Sequence, residues 1–350
     1  MTLTRDAAAG RSDPDAHSSS FQTHDLRFAA VLGDAPLLHH VAATDAHEGP
    51  VYVASEDALY FTTVPRRGGT AAAPGPPEVA IKRLALDGER FPCSPDRVSV
   101  VRADASAANG MAIDHEGRLV ICEQGSPSRP AAISRLDTST GAVATLVDGW
   151  RGLPLNSPND VVVKSDGTLW FTDPSYGHLQ GFRPRPALGD YVYRYDPRED
   201  RLTVVADDFD KPNGLTFSAD ERLLYVTDSG ANQEPGSYDV TRPHHIRAFD
   251  VLDGRRLGPG RLFAVTVPGF PDGITVDDAG HVYASCAGGV QVFAADGQLI
   301  GEITLPGAVN FTFGGARRNI LFITSDSAVW AAVLSATGPP LPVGAQPRGV

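Results

Sequence analysis

Six stretches of this chain repeat one arrangement of polar and apolar positions. They begin at Glu48, Asn109, Asn159, Asn213, Asp272 and Asn310. In each, an oxygen-bearing polar residue opens a short run with alternating apolar positions, as in Met111/Ile113, Leu215/Phe217 and Ile274/Val276. That two-residue period marks a strand with one buried face. A turn cluster follows about eight residues on, at Glu56, Gly117, Gly167, Glu221, Gly280 and Arg318. A second apolar run starts about eleven residues on, at Leu59, Val120, Trp170, Leu224, Tyr283 and Leu321. Each unit therefore predicts a strand, a tight turn and a second strand.

Further strand signals follow most units. They are Ala80–Leu86, Ile133–Leu136 with Ala142–Val147, Tyr191–Tyr195 with Leu202–Val205, Ile246–Val251 with Arg261–Val265, and Gly289–Phe293 with Leu299–Ile303. Turn residues such as Asp253-Gly254 and Asp296-Gly297 separate the members of each pair. Two strands plus two strands make a four-stranded blade, and radially arrayed blades of ~40–50 residues are the mark of a β-propeller. The prediction is an all-β fold, a six-bladed β-propeller with four-stranded antiparallel blades. A two-sheet sandwich with coincidental spacing is the alternative, and six ungapped matches weigh against it. The sixth unit is short of strands, and the spare apolar content of Leu26–Val41 is expected to supply one and close the ring. Residues 1–25 read as a disordered leader, 26–335 as one propeller and 336–350 as a flexible Pro/Gly-rich tail. The segments Gly68–Pro77 and Gly230–His245 read as long polar loops on blades.

Composition agrees with this picture. The 350 residues include 36 Gly and 28 Pro, which helix interiors tolerate badly. The formal net charge of −12 and the lack of a Lys/Arg cluster argue against a nucleic-acid partner. No apolar run approaches the ~20 residues of a membrane helix, and no signal peptide is visible. The three cysteines, Cys93, Cys122 and Cys286, form no CxxC motif and suit a reducing, cytoplasmic setting. No GxSxG elbow, Walker loop or HExxH motif occurs, so serine-hydrolase and nucleotide-driven chemistry have no support.

The chemistry lies in the register. A propeller sets equivalent positions of its blades on a ring around one axis, so the six opening residues face one end of the channel. All six are Asp, Asn or Glu. Carbonyl and carboxylate oxygens are what a hard divalent cation such as Ca²⁺ prefers, and a ring without His or Cys does not suit tetrahedral zinc. Turn residues capping strand starts are the alternative for any single position. Each second strand returns to the same end, which brings Glu123, Asp173 and Asp228 near the mouth; strand-end turn residues are the equal alternative for Asp173 and Asp228. His47 and His178 read as solvated loop residues that could approach the mouth.

Glu48-Gly49-Pro50-Val51, Asn109-Gly110-Met111-Ala112, Ser157-Pro158-Asn159-Asp160, Phe171-Thr172-Asp173-Pro174-Ser175-Tyr176-Gly177, Pro212-Asn213-Gly214 and Pro271-Asp272-Gly273 resemble the SMP-30/gluconolactonase/regucalcin-like family, in particular its bacterial gluconolactonase branch. The resemblance runs from about Glu48 to Phe322. It implies a six-bladed propeller with one divalent metal in the central tunnel, often Ca²⁺, while Mg²⁺, Mn²⁺ and Zn²⁺ can also occupy oxygen-rich sites. It further implies Glu48, Asn159, Asn213 and Asp272 as metal ligands and Asn109 facing the substrate or a metal-bound water. Animal relatives carry an arginine two residues before the position of Asn159. Ser157 stands there in this chain, so their sugar preference does not transfer.

The resulting expectation is a metal-dependent lactonase acting on a small-molecule sugar lactone such as gluconolactone. The cation would polarise the carbonyl while water attacks, with Asp272 as catalytic base and Asp228 as an auxiliary substrate-binding carboxylate. Organophosphate hydrolysis and a non-catalytic calcium-binding or interaction propeller remain the competing readings.

Overall fold

Large side chains at the alternating positions need partners on both faces of each sheet, and radial stacking supplies them. The computed structural model describes residues 20–68, 75–234 and 236–340. Six antiparallel sheets surround one axis, each with the opening strand of a repeat unit innermost. Blade 1 comprises Ala46–Val53, Ala58–Thr63, Ile81–Ala85 and Val98–Arg102. Blade 2 comprises Ala108–Ile113, Leu119–Glu123, Ala132–Leu136 and Val143–Val147. Blade 3 comprises Val161–Val163, Leu169–Asp173, Tyr191–Asp196 and Arg201–Ala206. Blade 4 comprises Pro212–Phe217, Leu223–Asp228, His245–Leu252 and Arg261–Val265, with the short strand Arg256–Leu257 also paired to its third strand. Blade 5 comprises Ile274–Val276, Val282–Cys286, Gly289–Phe293 and Leu299–Thr304. Blade 6 takes Phe311–Gly314, Ile320–Thr324 and Ala328–Val333 from the C-terminal part of the chain. Its fourth strand, Leu37–Ala43, comes from the N-terminal part and pairs with Ala328–Val333. The inner strands contact one another in chain order, and the sixth meets the first.

The inner hairpins turn as the polar signals predict. Asp57, Gly117, Gly167, Glu221, Gly280 and Arg318 all have positive φ, between 42° and 86°. The left-handed position in blade 1 is thus one residue beyond the expected Glu56. Second-strand aromatics fill the spaces between blades. Trp170 meets Phe217 of the next blade edge-on at 5.4 Å, and Tyr283 meets Phe313 in the same way at 5.4 Å. Both Trp170 and Tyr283 are completely buried, each removing a large apolar area from water.

The structure differs from expectation at the edges. Phe21–Thr23, within the expected leader, forms a fifth strand on blade 5 against Leu299–Thr304. Phe28–Leu32 is a short helix, so only the later part of the spare apolar segment pairs. The start of the expected tail is hydrogen-bonded to the propeller as far as Gly338. The N–H groups of Ser335 and Ala336 donate to the Val31 carbonyl, and the Gly338 N–H donates to Arg318. Residues 1–19 and 341–350, and with them the rest of the leader and tail expectations, lie outside the described residues, as do 69–74 and 235 of the two long loops. Among the described residues no helix is long and apolar enough to cross a membrane.

Candidate functional site

The register delivers five of the six ring residues to one cavity. Glu48, Asn109, Asn159, Asn213 and Asp272 all line a space of about 730 Å³ at one mouth of the channel. Their backbones are held by a repeated device one strand out. The Thr62 hydroxyl donates to the Asn109 carbonyl (3.0 Å), Thr172 to Asn213 (2.7 Å), Thr227 to Asp272 (3.1 Å) and Thr324 to His47 (2.5 Å). In each case a second-strand threonine fixes the opening of the next blade. The glycine after several ring residues has a steric reason. A Cβ on Gly110 would lie 2.3 Å from Asp160 Oδ1, and one on Gly214 would lie 2.4 Å from the Asp272 carbonyl.

Asn310 corrects the sixth position. Its side chain does not join the cavity; its Nδ2 donates to Glu48 Oε2 at 2.7 Å while its Oδ1 accepts the Phe311 N–H at 2.7 Å. It thus orients a ring carboxylate, and Glu48 Oε2 also accepts the Gly49 N–H at 3.2 Å. Asp160 stands where four other units have glycine, and its carboxylate accepts the Val161 N–H at 2.9 Å. Asp160 and Asn310 line a second cavity of about 600 Å³ at the other end of the inner strands.

Two carboxylates face the first cavity from deep burial. Burial is the larger cause that raises the Glu48 pKa, and the charge of Asp272 adds to it. Burial also raises that of Asp272, against the charge of His47 and a hydrogen bond from Asn213. His47 lines the cavity, where sequence alone placed a solvated loop residue, and its Nδ1 lies 2.7 Å from Asp326 Oδ1. Burial opposes its protonation, yet the Asp326 bond and the Glu48 charge hold its pKa above the usual range. His178 is exposed and does not line the cavity.

The strand-end carboxylates have a different task from the one expected of Asp228. Asp228 is 2 % exposed and does not line the cavity. Its two oxygens accept the backbone N–H groups of Asp210 (3.0 Å) and Lys211 (2.9 Å), just before the Asn213 motif. Its assignment as a substrate contact is therefore corrected: the carboxylate is occupied in shaping the loop that presents Asn213. Asp173 does the same for Asn159. It accepts the N–H groups of Asn156 (2.9 Å) and Ser157 (2.8 Å), while burial pushes its pKa up to about 7. Glu123 is tied to Arg102 at 2.6 Å and to the Ser134 hydroxyl at 2.5 Å.

Loops from blades 1 to 4 roof the cavity. They contribute Arg66 and Arg67, Gln124, Tyr176 and Phe182, and Asn232 to Glu234. Sequence reasoning gave none of these residues a role, although Tyr176 stands in one of the quoted motifs. One signal was present: the second strand returns to the ring end, so residues just past it, such as Gln124 and Tyr176, land at the mouth. Two buried polar atoms in this site lack hydrogen-bond partners, Asn109 Oδ1 and the Tyr176 hydroxyl. Among the described residues no group of three or more His, Cys, Asp or Glu is gathered. The ring offers two carboxylates and three amides instead, a donor set suited to a hard cation.

Known proteins carry the same organisation. A gluconolactonase of Zymomonas mobilis is 28 % identical over 309 residues, covering 87 % of this chain and 82 % of its own. A solved gluconolactonase structure from Xanthomonas campestris is 34 % identical with a TM-score of 0.71, covering 90 % of this chain and 94 % of its own. A second solved structure, of a protein described as a gluconolactonase, has a TM-score of 0.76 at 25 % identity, covering 91 % and 99 %. Residues 46–327, from the strand that carries Glu48 to the hairpin that closes blade 6, match the SMP-30/Gluconolactonase/LRE-like region, and the chain belongs to that family.

Proposed function

We propose that this protein hydrolyses a small lactone, with aldonolactones as the substrate class, in the cavity at the ring end of the channel. The observation that carries the reading is the convergence of Glu48, Asn109, Asn159, Asn213 and Asp272 on that one space. The names of its gluconolactonase relatives support it. Glu48, Asn159, Asn213 and Asp272 would hold one divalent cation, with Ca²⁺ the best match to hard oxygen donors, and the unpartnered Asn109 Oδ1 fits a site built for an added group. When bound, the cation supplies Lewis-acid polarisation of the lactone carbonyl.

The chain's own residues account for the remaining steps. The roof loops enclose the lactone and limit bulk water. Asn109 offers its free carbonyl oxygen to a substrate hydroxyl or to the attacking water. The Asp272 carboxylate accepts the proton that water releases on attack, the general-base role. Asn310 and the threonine hydroxyls keep the ring preorganised, so little rearrangement accompanies the reaction.

The test is acid release from a panel of aldonolactones, with a phosphotriester in parallel, before and after EDTA and with Ca²⁺ add-back. Lactone turnover that EDTA abolishes and Ca²⁺ restores is the expected result. Metal-loaded protein that opens no lactone overturns the reading, and turnover of the phosphotriester alone replaces it.

A further inference from the structure

We propose that Tyr176 is a further catalytic contact, whose phenolic O–H donates a hydrogen bond to the endocyclic oxygen of the bound lactone. The inference rests on the lactone-hydrolysis reading above. Tyr176 lines the cavity, and its hydroxyl is buried and has no hydrogen-bond partner. Asn213 and Ser229 lie close enough to interact with it, and neither completes a hydrogen bond of full geometry. A buried donor left unmet is costly, so its presence in the site calls for an acceptor that arrives from outside.

The position is tightly fixed. The Ser157 hydroxyl donates to the Pro174 carbonyl at 2.6 Å and accepts the Gly177 N–H at 2.9 Å, clamping the chain on both sides of Tyr176. The same loop carries Asn159. The Arg183 guanidinium bonds the carbonyls of Ser126 (2.8 Å) and Asn156 (3.2 Å), anchoring the far end of the Tyr176 loop to blade 2. The phenol is therefore presented by a rigid frame beside Asn213 and Asp272.

Chemistry selects the endocyclic oxygen. The cation that the ring would hold would serve the carbonyl oxygen, while the second oxygen on the same carbon needs a hydrogen-bond donor of its own. When the acyl carbon–oxygen bond breaks, its electron pair goes to that oxygen and a hydrogen bond to it strengthens. The proton that water gave to Asp272 completes the new hydroxyl. The phenol ends the turnover as it began, and the overall change is addition of one water.

Tyr176→Phe removes the O–H and keeps the ring. The expected result is a kcat lowered by about 10- to 100-fold, with KM within about 3-fold. The melting temperature is expected to be equal or higher, because an unpartnered buried hydroxyl is gone. On the corresponding thiolactone, whose ring sulfur is a poor acceptor, wild type and variant should agree within about 3-fold. An unchanged kcat on the oxygen lactone, an equal loss on the thiolactone, or a lowered melting temperature overturns the proposal. Wild-type protein that opens no lactone removes the underlying reading and this inference together; active wild type with an equally active Tyr176→Phe removes the inference alone.

Discussion

Glu48 is 4 % exposed, and its nearest ring charge is another buried acid. Burial, then Asp272, lifts its pKa to about 8 from an ordinary value of 4.5. In cation-free protein the folded state thus keeps a proton that the unfolded chain releases at lower pH. The contribution to stability is fully present below pH 4.5 and is lost as pH rises to about 8. Asp160 and Asp173, each raised to about 7 chiefly by burial, act in the same direction. The melting temperature of EDTA-treated protein should therefore fall from pH 5 to pH 8, and Glu48→Gln should reduce that fall. A rise with pH, or an unchanged slope in the variant, contradicts the burial argument. Asp272 carries the heavier catalytic assignment, as proposed ligand and base together. Asp272→Ala should lower kcat/KM by at least about 10²–10⁴-fold, the range for a lost general base. Near-normal turnover in the folded variant would sink the assignment.

Between residue and blade stands the pairing of a loop with the strand end that receives it. Asp173 is completely buried and binds two backbone N–H groups of the loop leading to Asn159. Asp173→Ala leaves both donors unmet and should cost about 2–5 kcal/mol, read as a lower urea midpoint. Thr172→Val removes the 2.7 Å bond to the Asn213 carbonyl and should cost about 1–2 kcal/mol. An unshifted midpoint in either variant would show that the device does not hold the ring. This level also separates what was legible in the sequence from what was not. The inner hairpins were readable because both strands are buried, so polar opening, left-handed turn and apolar second run recur in one register. Val98–Arg102 escaped notice because an outer strand with exposed Ser99 and Val100 has no clean alternation. Asp228 was misread for a different reason. A strand-end carboxylate can face a ligand or bind the backbone of an earlier loop, and two of its three backbone donors here lie 17 and 18 residues upstream. Asn310 shares its residue type with true cavity residues, and only packing shows that it turns to Glu48.

A ring of blades is only as stable as its closure, because an open sixth blade would expose the edge of Ala328–Val333. The chain closes it with Leu37–Ala43, paired from Leu37 opposite Val333 to Ala43 opposite Ala328. This pairing joins residues from opposite ends of the described chain, so it couples blade 6 to everything between. The spare apolar content of the segment before Glu48 was the readable sign of it. Val41 is the buried anchor of the closing strand, with no exposure, packed in the cluster that includes Leu59, Phe61 and Phe322 of blades 1 and 6. Val41→Asp places an unpaired carboxylate among these groups and should cost more than about 4 kcal/mol, enough to unfold a marginally stable domain. Ala43→Asp, on an exposed position of the same strand, should stay within about 0.5 kcal/mol of wild type. The loss in Val41→Asp should be global: inner hairpins and cavity should melt in one transition with blade 6. A Val41→Asp protein with the melting temperature of Ala43→Asp would mean that this strand does not close the ring.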